Sequence, residues 1–539
     1  LSLTAFATII AALATDMSHD ANRARTFFQH SQRTMNFPKL GAALFLLPMP
    51  MLIGEPPSGP TEEEDIEAYV VSVCARCHLF PPPESLPKSS WRTEILKMAD
   101  LSYLDERDGW HNRIDDIIAY YESLSPSRLQ LPEAPAKRIS LSSYSISKGK
   151  LNIPIPTISK IASYDLFPSI PGDELICSDL NSGTLFYLSS ESNYRNPIFL
   201  AKARFPASIQ IVDFDSDGLN DILVGNLGWN RPTQESLGSI AIMRGKEDGT
   251  FEEHKIGPPL GRVSDARAAD VDGDGDLDIV ATVFGLHRNG SLLYLENIGG
   301  STTNLEALQL KPHALSNASG GIAAPIVDLD GDGDMDIVAL YSQEHEEVVA
   351  YYQSAPSEFQ AVTLFKAPHP NWGFNAIEID DLDGDGDVDI ILSNGDSMDD
   401  SISEKPYHGI AWLENRGSRE LAYARIGHFI GPTGLQTGDW NGDGTKDVIV
   451  SSWVSGPSAD KRNNANSHGL AVFIGSNDKS FSRVDIATSD SGIYPSLLAN
   501  DLTGDGQLDL AVGRYLLSAN DEREKSSLIE IFENQSARH

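Results

Sequence analysis

A mainly β fold, a seven-bladed propeller preceded by a small all-α domain, is what this 539-residue sequence predicts from three observations. Six acidic nonapeptides recur between residues 213 and 509, with first-aspartate spacings of 57, 58, 53, 58 and 62. Each is followed by a short apolar run, such as Ile279-Val280-Ala281 or Ile390-Ile391-Leu392, that reads as a strand. Ahead of them, around residues 60–130, apolar residues recur at helical spacing instead. A period this long, with several short strands inside each unit, is that of propeller blades.

The elements follow in order. Residues 1–60 hold two apolar stretches, near 3–14 and from Leu40 to Gly54, the second preceded by Met35-Asn36-Phe37-Pro38-Lys39. A lysine in a short n-region before an apolar h-region reads as an export signal, with Met35 as a possible start. No later stretch is long enough to span a bilayer, so the only membrane element to consider is this signal, retained as an anchor. The expected location is periplasmic or extracellular. Residues 61–130 form the all-α domain, 131–149 a linker and 150–539 the propeller. Ile66, Tyr69, Val70 and Val73 make one helical face, Trp91 to Met98 begins another segment, and Arg113 to Leu124 reads as a third helix stopped by Pro126. Residues 150–200 lack a complete acidic loop but carry the strand runs Glu174–Cys177 and Thr184–Leu188, which make a seventh blade. The last run, Ser527–Glu533, is the expected closing strand, since closure removes exposed sheet edges.

The chain carries 41 Lys and Arg against 77 Asp and Glu, a net charge of -36. No basic run exists to neutralise phosphates, which argues against nucleic acid as a partner. The field favours cations and cationic partners over anionic surfaces.

Three cysteines occur, Cys74, Cys77 and Cys177. Cys177 sits in an apolar run and reads as a small buried hydrophobe. The pentapeptide Cys74-Ala-Arg-Cys77-His78 has the spacing of a c-type haem attachment site. Two thiols on one turn bond the haem vinyl groups, and the adjacent histidine reaches the iron. A redox Cys pair would sit in a βαβ setting, which is missing here, and zinc would need further ligands. Met98 is the expected distal ligand, with His111 or an open position as alternatives; the plainer roles are core filler and solvent-facing side chain.

The six nonapeptides carry oxygen donors at positions 1, 3, 5 and 9. They supply Asp213, Asp215, Asp217 and Asp221; Asp270, Asp272, Asp274 and Asp278; Asp328, Asp330, Asp332 and Asp336. The remaining three supply Asp381, Asp383, Asp385 and Asp389; Asp439, Asn441, Asp443 and Asp447; Asp501, Thr503, Asp505 and Asp509. With a carbonyl at position 7 and a glycine at 6 for the tight turn, this is a hard-cation loop suited to calcium and poorly suited to magnesium. Asn441 and Thr503 lower the charge of the last two.

These loops resemble the FG-GAP/VCBS calcium-binding repeats of integrin alpha-like propellers over residues 150–539, although the chain has no large stalk or membrane helix. The whole sequence resembles bacterial exported VCBS-repeat proteins with an N-terminal cytochrome c-like domain. Cys74–Pro81, Trp91 and Lys97-Met98 carry that likeness, with Gln343–Glu346 and Lys405–Gly409 in the propeller. The resemblance implies an exported protein with covalent haem c and a calcium-stabilised propeller, and it implies no particular reaction.

His287, His345, His369 and His408, with Trp229, Trp372 and Trp453, fall just outside strands, where a ligand funnel or plain blade packing would use them. Blade packing is the preferred reading, because no nucleophile–base–orienter set emerges and whether the chain is an enzyme stays open. The function expected is electron transfer to a redox partner or from a small-molecule substrate. A haem-linked dehydrogenase with its active site on the propeller, and a calcium-dependent adhesion protein, are the alternatives.

Overall fold

A computed structural model describes residues 65–76, 78–101, 110–132, 137–231, 233–285, 288–299, 305–395, 404–453, 469–488, 493–516 and 526–534. The export signal expected within 1–60, Cys77 and His287 lie outside the described residues.

Three helices build the N-terminal domain: α1 (Ile66–Cys74), α2 (Lys88–Leu101) and α3 (Ile114–Leu124). Asp65 caps α1 by accepting the Glu67 N–H at 3.0 Å. Val70, Val73, Trp91, Ile95, Ile117, Ile118 and Tyr121 close the core. The proline run that ends helical structure after Phe80 leaves carbonyls with no helix to use them. Tyr121 donates to the Pro81 carbonyl at 3.0 Å and Trp91 Nε1 to that of Pro83 at 2.9 Å. The two rings stack with centroids 4.1 Å apart.

Seven sheets follow, each built on at least four antiparallel strands. Blades 1 to 7 occupy residues 158–202, 206–260, 263–316, 321–366, 374–428, 432–486 and 496–533. The second strand of each blade is buried on both faces, as in Asp278–Val283 and Asp389–Asn394, which is why the three residues after the opening aspartate are apolar in both. Cys177 lies in such a strand, and burial pushes its thiol up, as befits a packing residue. Among the described residues no helix is long and apolar enough to cross a membrane.

Ring closure differs from expectation. Ser527–Glu533 is the third strand of blade 7, and the outer strand is Ser142–Ser147, paired antiparallel with Ile146 opposite Ile529. Lys137–Ile139 adds a parallel fifth strand to blade 6, with Arg138 opposite Asp485. Residues 137–147, expected within a linker, are therefore part of the propeller. Their serine-rich stretch hides the pattern, since only Ile146 among Ser142–Ser147 is fully buried.

Candidate cation loops, haem site and histidine cluster

Each acidic nonapeptide links the first and second strands of its blade. In the loop of blade 5, Asp381 Oδ1 accepts the N–H groups of Gly384 at 2.8 Å and Asp385 at 3.1 Å, and Oδ2 accepts that of Gly386 at 3.0 Å. The loops of blades 4, 6 and 7 repeat this arrangement at Asp328, Asp439 and Asp501. The sixth-position glycine has positive φ in all six loops, 99° at Gly386 for example, as the tight turn requires. The fourth position is left-handed too, a requirement the nonapeptide spacing alone does not reveal. Five loops place glycine there; the loop of blade 2 holds Ser216 at 57°.

Carboxylate oxygens converge to within 4.8 Å of one another in four loops: Asp270, Asp272 and Asp274; Asp328, Asp330 and Asp332; Asp381, Asp383 and Asp385; and Asp213, Asp215 and Asp221. Asp270 Oδ1 and Asp330 Oδ1 are buried without a hydrogen-bond partner, so two loops present an unsatisfied acceptor to whatever occupies the cluster. Asp443 is satisfied from within: Thr445 N and Oγ1 donate to Oδ1 at 2.8 and 2.6 Å, and Asn441 Nδ2 to Oδ2 at 2.8 Å.

The ninth residue also braces the fold. Asp221, Asp278, Asp336, Asp389, Asp447 and Asp509 are buried, and burial raises their carboxyls, to about 6 in the first five. In Asp389, Oδ2 accepts the Leu382 N–H at 3.0 Å and Oδ1 the Asn415 N–H at 2.7 Å, tying the loop to the end of the third strand. Asn415 Nδ2 continues the chain to the Leu329 carbonyl of blade 4 at 2.9 Å. Asn534 reaches Trp440, and Gln353 reaches Val271, in the same way. Blade 1 keeps the brace without the loop: Glu174 Oε2 accepts the Leu166 and Phe167 N–H groups. The recurrent Glu-Asn pairs 296–297, 414–415 and 533–534 were the sequence signal for these staples.

In the helical domain Cys74 ends α1, half-buried, and burial pushes its thiol up. His78 Nδ1 lies 2.7 Å from the Leu79 carbonyl. A carbonyl only accepts, so Nδ1 carries the proton and Nε2 keeps its lone pair for a metal. Met98 is 49% exposed and turns away from the core. His111 packs on Trp110 with centroids 4.1 Å apart, and its Nδ1 is buried without a partner.

Of the remaining candidates, His369, Trp372, Tyr407 and His408 come together. Tyr407 stacks on Trp372 at 5.7 Å and meets His369 edge-on at 4.6 Å. His408 is fully buried. The helical domain rests on this cluster: Asn371 Nδ2 donates to Ser85 Oγ at 2.9 Å and Tyr407 Oη to the Ser85 carbonyl at 3.4 Å. Trp229 is 45% exposed, Trp453 packs on Tyr515, and His345 stands 3.9 Å from Glu347.

Burial holds His369 and His428 down to about 4. An unfolded histidine protonates near 6.5, so the unfolded chain binds more protons and stability falls as pH drops from 6.5 towards 4. At pH 5 the loss is about 2 kcal/mol per ring. The raised aspartates titrate in the opposite sense, so the effect is read by difference. His369→Phe is expected to gain about 2 kcal/mol on wild type between pH 7.5 and 5 in denaturant unfolding. A wild-type-to-variant difference that ignores pH would contradict this.

Residues 213–281 and 328–392 match the FG-GAP-like repeat family. No curated protein matches the chain. Among solved structures the chain is similar to streptogramin B lyase, at 12% identity and a TM-score of 0.44 over 75% of this chain and 99% of that one. It is also similar to BBS1N crystallised with ARL6DN and soaked with lead, at 10% identity and a TM-score of 0.40 over 74% of this chain and 99% of that one. At such values the blade count rests on the sheet order above. The fold is a seven-bladed β-propeller, two stretches of which match the FG-GAP-like repeat.

Proposed function

We propose that this chain is an exported c-type haem protein that passes single electrons, and that its propeller, stabilised by calcium, positions the haem domain against a redox partner or substrate. The observation that carries the reading is Cys74-Ala-Arg-Cys77-His78 at the end of a packed helix, with His78 Nε2 left available. Cys74 and Cys77 would hold the haem covalently and His78 would be the proximal ligand. The haem supplies a one-electron couple whose potential its axial ligands set. The exposure of Met98 and the unpartnered Nδ1 of His111 favour His111 as the distal ligand over Met98. Cys74→Ala with Cys77→Ala is expected to abolish covalent haem, seen as loss of haem staining on a denaturing gel. Haem retained covalently in that variant would refute the reading.

For calcium, the carboxylate clusters of blades 3 and 4 are the best fit, because each contains a buried unsatisfied oxygen. An ion bound only by the folded loops stabilises by linkage, about 2.7 kcal/mol per site at a hundredfold excess over Kd. Chelation is expected to lower the melting temperature, and Asp330→Asn to shrink that shift more than Asp443→Asn does. An unchanged transition on chelation would count against calcium.

A second reading, a dehydrogenase feeding electrons to the haem, draws on the contact of Ser85 with Asn371 and Tyr407 beside buried histidines. Substrate-dependent haem reduction separates it from a passive carrier.

A further inference from the structure

The loops are not equivalent, and the difference lies one residue before the brace at the end of the third strand. That position holds Glu296, Tyr352, Glu414, Ile474 and Glu533 in blades 3 to 7, and Arg244 in blade 2. Arg244 runs back over the loop of its own blade. Its Nε donates to Asp215 Oδ2 at 2.5 Å and its Nη2 to Asp217 Oδ2 at 2.8 Å. The guanidinium fork thus takes both the third and the fifth donors of the nonapeptide, and Asp215 is fully buried beneath it.

Other loops meet basic side chains differently. Arg419, from the turn after the third strand of blade 5, reaches only Asp330 Oδ2 at 2.5 Å, leaving Oδ1 buried and unpartnered. Lys479 of blade 6 takes Asp383 Oδ2 at 2.5 Å, where Asp385 is tied only to the backbone of its own loop. In blade 2 no unsatisfied carboxylate oxygen remains among these donors: Asp213 accepts the Asp217 and Gly218 N–H groups, and Asp215 Oδ1 that of Asp217. A divalent ion among Asp213, Asp215 and Asp217 would lie against a fixed positive charge and compete with it for the same oxygens.

We propose that the Asp213–Asp221 loop is closed to cations and that Arg244 does there, as a built-in counter-ion, what calcium does in sister loops. The inference rests on calcium at those sister loops, and its test is separable from theirs. The full chain is stripped with chelator, equilibrated with radioactive calcium and counted by equilibrium dialysis, alongside Arg244→Ala, Asp215→Asn and Asp330→Asn. Arg244→Ala is expected to bind one more ion per chain than wild type. Asp215→Asn is expected to leave the wild-type count unchanged, whereas Asp330→Asn loses one ion. An unchanged count in Arg244→Ala, or the loss of one ion in Asp215→Asn, overturns the proposal. A full count in Asp330→Asn overturns calcium at the loop of blade 4 and leaves Arg244 standing. Should Arg244→Ala not fold, hydrogen exchange of amides 214–220 in wild type decides: unchanged protection on chelation supports closure, and loss of protection overturns it.

Discussion

A chain that begins at residue 150 is expected to lose its cooperative unfolding transition and to aggregate, although every acidic loop remains intact. The strand Ser142–Ser147 covers Ser527–Glu533, whose sequence Ser-Leu-Ile-Glu-Ile-Phe-Glu is apolar and β-branched. Without its partner this becomes an exposed, hydrophobic sheet edge, the kind that pairs with other chains. Ile146 packs with Leu528, Ile529 and Ile531 in the core shared by blades 7 and 1. Ile146→Asp therefore loses about 2–3 kcal/mol of apolar burial and adds an unpaired buried charge, for a total of roughly 4 kcal/mol or more. Denaturant unfolding with light scattering checks both variants against a chain beginning at residue 131, which keeps the strand and should unfold cooperatively. Equal stability of the two truncations would show that closure does not depend on 137–147.

Asp389→Ala is expected to destabilise the propeller by about 4 kcal/mol, with or without calcium. Two buried N–H groups, those of Leu382 and Asn415, lose a charged acceptor, and each orphaned donor costs about 1–3 kcal/mol. Asn415 is also the link to blade 4 through the Leu329 carbonyl, so the disturbance reaches a neighbouring loop. Asp385→Ala, in the same nonapeptide, is the control. Asp385 lies on the exposed part of the loop and accepts the Asp387 N–H, so its loss should matter mainly when calcium is present. A chelated protein in which the two variants are equally stable would contradict the bracing role of the ninth carboxylate.

How much of this was legible depended on how each interaction is written in the chain. The blades were, because a nonapeptide with glycines fixed by positive φ and an apolar strand behind it is a local pattern. The strand at 142–147 was not, because its partner lies some 380 residues away and its serines resemble linker composition. Glu174 was hidden by a blade that kept the buried brace and lost the loop. Arg244 was hidden for a different reason. Nothing about an arginine at the end of a strand says that its fork reaches two carboxylates 27 and 29 residues earlier. In the helical domain the Cys-x-x-Cys-His spacing was plain, whereas the orientation of Met98 depends on which face of α2 the core takes. That choice is made by Trp91 and Ile95 packing on α3, a tertiary effect that periodicity over one short helix does not decide.

Covalent haem and one-electron chemistry are tested together by a redox titration of the full chain, matured with a c-type haem-ligation system and followed by visible absorption. One haem per chain is expected, titrating as a one-electron couple and staying attached after denaturation. A correctly matured, folded chain with no haem absorption would contradict it.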